Sequence, residues 1–127
     1  MKTVVYEREL PCFLSWPRRN PIPPHPNFHT DDDAARAAGF PGVIMSSSQL
    51  AAHIHQAIVE IAGVSGYFAG MKMAYKMVRP VPVPGIARVV VESNEESYEL
   101  SVRIEDGLGN VCMVGTARPP QKEKRDA

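Results

Sequence analysis

Histidine is the side chain best suited to acid–base chemistry near neutral pH, and the chain has four, at positions 25, 29, 53 and 55. His53 and His55 are two residues apart in a predicted helix, so their side chains point about 200° apart and cannot bind one metal ion together. His53 lies beside an apolar stripe, where we predict a hydrogen-bonded packing role, and His55 is predicted to face solvent. The sequence therefore predicts no metal site at this pair.

His29 stands at a junction between a loop and a predicted short helix. Thr30 is the predicted N-cap, Asp31 to Asp33 place negative charge in the first turn, and Gly39 ends the alanine-rich run that follows. A side chain at such a junction is held firmly and can face a cleft. We therefore predict His29 as a general acid/base, with His25 as an assisting group.

The start of a long predicted helix provides a second chemical feature. Ser46 and Gln49 have the spacing of a capping box, and Gly63 is predicted to end the helix. An apolar stripe runs between them: Leu50, Ile54, Ala57, Ile58 and Ile61. Free backbone N–H groups and the helix dipole stabilise negative charge, so the helix start at Ser46 to Gln49 is predicted to stabilise charge that develops on a thioester oxygen. A serine nucleophile is less favoured, since no G-x-S-x-G motif is present.

The remaining elements are predicted to be antiparallel strands, separated by turns at 93–94 and 106–110. They cover Thr3–Tyr6, Met71–Met77, Ala87–Glu92, Ser97–Glu105 and Val111–Ala117. The first is predicted to end before Pro11, and Tyr98 is predicted to share a face with Leu100, Val102 and Ile104 in the fourth. One long helix wrapped by an antiparallel sheet is an α+β arrangement, and so small a sheet favours pairing with a second copy.

Length and charge limit the classes of function. At 127 residues and 14.0 kDa the chain fits one domain, and 14 basic residues balance 14 acidic ones, which argues against a nucleic-acid partner. The two cysteines are far apart and no apolar run has membrane-spanning length, so we expect a cytoplasmic protein. The proline-rich segment 16–26 is predicted to be an ordered loop over the body, and 119–127 a flexible charged tail.

Three segments together carry a family resemblance. The run HTDDDAARAAGFPG from His29 to Gly42 resembles the signature of the MaoC-like, (R)-specific enoyl-CoA hydratases, in which a catalytic His precedes Thr-Asp, a short helix and Ala-Gly-Phe. The spacing from His29 to Phe40 matches without gaps. VRPVPVPG at 78–85 is similar to the family's Arg-Pro-Val-x-x-Gly motif, and DGLGNV at 106–111 resembles its final hairpin.

The resemblance implies that residues 1–118 form one hotdog domain, usually dimeric, which acts without a cofactor. The implied substrate is an acyl thioester on coenzyme A or on a carrier protein, and the implied reaction adds or removes water across its α,β bond. In addition to His29, Ser47 and His25, we predict that the substrate contacts Asn27, Phe40, Ser46 and Ser48. We expect no nucleic-acid or membrane partner. We expect the chain to form a homodimer or a heteromer with another hotdog subunit.

The chain departs from the family at two positions. An Asp five residues before the His helps to activate water in the family, but Pro24 stands there, and a register based on Asn20-Pro21 places Arg18 instead. Ser46-Ser47 stand where the family commonly has His-Gly. Two alternatives to a hydro-lyase therefore stay open: a silent hotdog subunit that binds acyl chains or pairs with an active partner, and a repurposed biosynthetic enzyme for proton transfer, elimination or cyclisation.

Overall fold

A computed structural model of the chain describes residues 2–12, 31–83 and 85–120. The predicted proline-rich loop at 16–26 lies outside these residues, as do His25, Asn27, His29, Thr30 and most of the predicted tail. Within the described residues the chain contains five strands and two helices: β1 (Lys2–Cys12), α1 (Asp32–Ala37), α2 (Ser47–Phe68), β2 (Lys72–Met77), β3 (Gly85–Asn94), β4 (Leu100–Asp106) and β5 (Val111–Arg118).

The five strands form one antiparallel sheet in the order β1-β3-β4-β5-β2. The predicted stripe of α2 packs on one face of this sheet, with Leu50, Ala57 and Ile58 fully buried. The opposing residues alternate along the strands, as a half-buried sheet requires: Val89, Val91, Val102, Ile104, Met113 and Ala117. The predicted α+β arrangement of one long helix against an antiparallel sheet is confirmed.

Two strand predictions were wrong in their extent. The first strand continues through Pro11 to Cys12, because β1 is an edge strand, where a residue without a backbone donor is tolerated. Tyr98 lies before β4 and its side chain is 77% exposed. Hydrogen bonds from Ser97 N to Asn94 O and from Glu99 N to Ser97 Oγ hold this stretch in a turn.

Gly63 does not end the long helix but bends it. Its φ of 77° and ψ of 165° interrupt the helical geometry, and a short helical arm continues to Phe68. That backbone conformation is essentially restricted to glycine, which explains the residue found at the bend.

The short arm is held in place by His55, whose predicted exposure to solvent was wrong. Its Nδ1 lies 2.6 Å from the Tyr67 hydroxyl and its Nε2 lies 3.0 Å from the Tyr75 hydroxyl. A neutral imidazole donates from one nitrogen and accepts at the other, so one tyrosine hydroxyl donates to the ring and the other accepts from it. His55 therefore connects both parts of α2 to β2.

Among the described residues, no helix has the length and apolar character needed to cross a bilayer.

Candidate functional site

Two aspartates at the start of α1 position the segment that follows the predicted catalytic His29. Asp31, rather than Thr30, caps the helix, because its carboxylate accepts a hydrogen bond of 2.8 Å from Ala34 N. Asp32 accepts a hydrogen bond of 3.0 Å from Val43 N. The short helix is thus attached to the chain that leads into α2.

The start of α2 has the predicted capping box. Ser46 Oγ accepts a hydrogen bond from Gln49 N at 3.3 Å, and the Gln49 side chain accepts one from Ser46 N at 3.2 Å. None of the hydrogen bonds found among the described residues uses the backbone N–H of Ser47 or Ser48. Two backbone donors are therefore available at the positive end of the helix dipole.

Gln49 has an unusual environment within the capping box. A backbone N–H can only donate, so the contact with Ser46 N identifies the Gln49 oxygen as the acceptor and directs Nε2 the other way. The residue is 7% exposed, and Nε2 has no hydrogen-bond partner among the residues that the structure describes. A buried amide donor without a partner carries a desolvation cost, which distinguishes Gln49 from the other residues of the capping box.

The residues before β3 run alongside the start of α2. Met45 N donates to Val81 O at 2.9 Å and Val83 N donates to Val43 O at 3.0 Å. The part of the VRPVPVPG motif that the structure describes is therefore fixed against the residues that precede the capping box. Two distant parts of the sequence meet here.

An open cleft of about 410 Å³ lies where these two segments and the end of β2 come together. Apolar side chains form most of its wall, and Arg79 is the one charged residue among the described residues that line it. The described residues that line it are Phe40, Ile44, Met45, Ser47, Met77, Val78, Arg79 and Pro80. An apolar cleft with a helix start at its edge suits an uncharged chain that ends in a polarisable carbonyl.

The structure brings together part of the predicted site. Phe40 and Ser47 line the cleft, whereas the Ser46 side chain is 3% exposed and engaged in the cap. Ser48 is exposed, and its Oγ lies 3.2 Å from Ser46 Oγ. The roles assigned to these residues, and to His25, Asn27 and His29, stay predictions.

Sequence reasoning missed the contribution of the VRPVPVPG motif and of β2 to the wall of the cleft. The motif was recognised as a family feature, but its contact with the start of α2 depends on tertiary packing. The single signal available was Arg79 itself, a charged residue within a proline-rich apolar run.

The cysteines and His53 do not line this cleft. Burial raises the pKa values of the Cys12 and Cys112 thiols, so both stay protonated and are poor nucleophiles. Burial, and secondarily the charge of Arg8, lowers the pKa of His53. His53 is half-buried as expected for a packing role, but the predicted hydrogen bond is not found among the described residues. No group of metal-ligating side chains occurs in the described part of the chain.

We expect Ser46→Ala to lower the free energy of unfolding by about 1 kcal/mol, because Gln49 N loses its acceptor at the helix start. Urea unfolding monitored by circular dichroism measures this change. Ser48→Ala is the matched control, since the Ser48 hydroxyl does not cap the helix. Equal losses in the two variants would show that the capping box does not stabilise α2.

Comparisons with known proteins identify the fold. No protein-family profile matches the sequence, and no curated protein matches it. Among solved structures, the ChsH1-ChsH2 complex from Mycobacterium tuberculosis is similar with a TM-score of 0.69 at 15% identity, covering 94% of this chain and 96% of that one. The (R)-hydratase from A. caviae involved in PHA biosynthesis has a TM-score of 0.65 at 18% identity, covering 94% and 95%.

A third similar structure is the C-terminally truncated HadBC complex from Mycobacterium tuberculosis, a 3R-hydroxyacyl-ACP dehydratase. It has a TM-score of 0.66 at 11% identity, and the match covers 92% of each chain. At these identities the similarity concerns the fold, and the predicted hotdog fold is confirmed.

Proposed function

We propose, starting from a hotdog fold shared with (R)-hydratases and a hydroxyacyl dehydratase, that this chain is a hydro-lyase acting on an acyl thioester in the cytoplasm. The observation that supports this most directly is the apolar cleft bordered by Ser47 at the start of α2. The acyl chain would lie against the apolar wall, and its thioester carbonyl would face the free N–H groups of Ser47 and Ser48.

The chemistry needs one base and one site for negative charge. In the hydration direction, His29 takes a proton from water as the water oxygen bonds to the β carbon of the enoyl group. Electron density moves to the thioester oxygen, where the helix start stabilises it. The α carbon then takes the proton that His29 received from water, which returns His29 to its neutral form. Dehydration follows the same steps in reverse.

The proposal assigns the work of the family's Asp to other groups. Pro24 and Arg18 stand at the two positions where that Asp would align, and neither is a proton acceptor at neutral pH. We propose that His25 assists His29 in holding the water. Asn27, Phe40, Ser46 and Ser48 remain the proposed substrate contacts.

Hydration of crotonyl-CoA and of a longer trans-2-enoyl-CoA tests the function. We expect the ultraviolet absorbance of the conjugated thioester to fall as water is added, and to stay constant without protein. A purified, folded chain that hydrates neither substrate would contradict the proposed activity.

A second candidate function is supported by the missing Asp. A hotdog subunit without its own acid–base pair can bind acyl chains or complete a complex whose other subunit is active. Two similar structures are complexes of named pairs, ChsH1-ChsH2 and HadBC. Absence of turnover by the isolated chain, followed by turnover after a second hotdog subunit is added, would favour this candidate.

The two edges of the sheet differ in their suitability for pairing with another chain. β1 has a register irregularity between Val4 and Tyr6 and contains Pro11, and both features discourage strand addition. β2 pairs regularly with β5 over Lys72–Met77 and has no proline. We therefore propose that β2 is the edge that pairs with a second subunit.

The expected result is a dimer with twice the 14.0 kDa mass of one chain. Sedimentation equilibrium over a range of protein concentrations measures this mass directly. A single species of 14.0 kDa throughout that range would contradict homodimer formation and leave pairing with a different hotdog subunit.

A further inference from the structure

Arg79 supplies the one positive charge on the described wall of the cleft. Its backbone is fixed, because the N–H groups of Val78 and Arg79 both donate to Cys112 O, at 2.7 and 3.1 Å. Pro80 follows it and restricts its backbone angles further. The base of the Arg79 side chain therefore has a defined position in the wall, although the residue as a whole is exposed.

Arg79 forms no salt bridge with any residue that the structure describes. The salt bridges found there use four other arginines: Arg36, Arg88, Arg103 and Arg118. Asp106 lies within electrostatic range of Arg79, but its carboxylate stabilises the β4–β5 turn by accepting hydrogen bonds from Leu108 N, Asn110 N and Asn110 Nδ2. The charge of Arg79 is therefore available for a ligand.

Arg79 and Ser47 line the same cleft of about 410 Å³, because residues 43–45 pair with residues 81–83. A group bound by Arg79 is therefore only a few bonds away from a thioester carbonyl that faces Ser47. At roughly 1.3 Å per extended C–C bond, a chain of five carbons spans about 5 Å. This spacing fits the two ends of one short acyl chain and is too small for the pantetheine arm that separates a thioester from a phosphate.

The remaining described wall limits what the acyl chain can be. An unsubstituted chain suits the apolar side chains but leaves the charge of Arg79 without a counter-ion. A chain that is apolar along its length and ends in a carboxylate uses both features. Guanidinium groups bind carboxylates through two parallel hydrogen bonds, which gives orientation as well as affinity.

We propose that the acyl group of the substrate ends in a carboxylate that Arg79 binds, so that the cleft selects thioesters of short dicarboxylic acids over unsubstituted chains of equal length. This inference rests on the proposed function, because it assumes that the thioester carbonyl faces Ser47. Arg79 determines specificity in this arrangement and takes no part in proton transfer.

The test compares glutaryl-CoA with pentanoyl-CoA, two saturated, non-reacting thioesters whose acyl groups have the same number of carbons. Because both carry the same coenzyme A, the ratio of their dissociation constants reports the effect of the carboxylate. Isothermal titration calorimetry is carried out on the full chain and on its Arg79→Gln, Arg79→Lys and Arg88→Gln variants. Arg88→Gln is the matched control, because it removes the same charge from β3, where Arg88 pairs with Glu7 at 2.7 Å. Thermal unfolding of each variant verifies that it is folded.

We expect the unaltered chain to bind glutaryl-CoA about 10-fold more tightly than pentanoyl-CoA. Arg79→Gln should remove this preference and leave pentanoyl-CoA binding within about 2-fold. Arg79→Lys should keep a preference of about 3-fold, because an ammonium group retains the charge but not the paired hydrogen bonds. Arg88→Gln should leave the preference unchanged. Raising the NaCl concentration from about 50 to about 500 mM should reduce the preference of the unaltered chain, which tests the ion pair without any substitution.

Three results would overturn the inference: no binding of either thioester, no preference for glutaryl-CoA in the unaltered chain, or a preference that Arg79→Gln leaves intact. The inference and the proposed function fail separately. An Arg79-dependent preference without hydration of crotonyl-CoA or of glutaconyl-CoA, the unsaturated counterpart of glutaryl-CoA, contradicts the function. Hydration of crotonyl-CoA without an Arg79-dependent preference contradicts the role of Arg79.

Discussion

Replacing His29 by Ala is expected to lower kcat/KM for hydration of crotonyl-CoA by about 10²- to 10⁴-fold, the usual contribution of a positioned general acid/base. Two parts of the sequence support so large an effect. His29 begins the HTDD run that resembles the hydratase signature, and Phe40 at the end of the matched spacing lines the cleft. The Asp is absent, so the proton transfers depend more heavily on this one imidazole.

The His29→Ala experiment needs a control for nonspecific loss of a histidine. His53→Gln serves this purpose, because His53 is half-buried on α2 outside the cleft and should retain most of the activity. His25→Ala should give an intermediate loss if His25 assists. A His29→Ala enzyme within about 3-fold of the unaltered chain would refute the assigned role, since general acid/base groups contribute far more.

Gly115→Ala is expected to lower the free energy of unfolding by about 2 kcal/mol or more, the cost of overpacking a site that cannot expand. Gly115 lies opposite Tyr75 in the β2–β5 pair. A Cβ atom added there would stand 2.5 Å from the backbone oxygen of Ala74 and 2.7 Å from the Cβ of Tyr75. All the obstructing atoms belong to the backbone or to the base of a side chain, so β2 itself must move.

Urea unfolding measures the Gly115→Ala loss, with Gly107→Ala as the matched control. A Cβ at Gly107 would meet Ile86 O at 3.4 Å, an ordinary contact, and its backbone angle suits alanine. The Tyr75 hydroxyl should also leave His55 in the Gly115 variant, which histidine NMR signals report. Equal stabilities for the two variants would show that β2 has room that the structure does not indicate.

The main secondary structure was accessible from the sequence because local rules determine it. The apolar period of α2 and its capping box depend on residues within a few positions of each other, and both are found as predicted. Met73 and Met77 lie two pleat repeats apart in the predicted strand, and both pack against the core. The predictions were wrong where tertiary contacts decide the structure. β1 extends beyond its predicted end because it pairs with β3, and Gly63 bends α2 instead of ending it.

The candidate site was less accessible for the same reason. Phe40 and Ser47 were named from a motif and a helix start, which are local features. The cleft itself forms only where residues 44–47 meet residues 77–80, more than thirty positions away. Neither segment alone indicates that Arg79 would stand near Ser47, because that proximity results from the pairing of residues 43–45 with 81–83.

β2 takes part in three regions of the molecule. Its last residue, Met77, forms part of the cleft wall, Tyr75 is hydrogen-bonded through its hydroxyl to His55 on α2, and one side of the strand has no neighbour within the sheet. A displacement of this strand is therefore transmitted to the mouth of the cleft and to the helix at once. If a second subunit pairs with β2 as proposed, assembly and the shape of the cleft would therefore depend on the same strand.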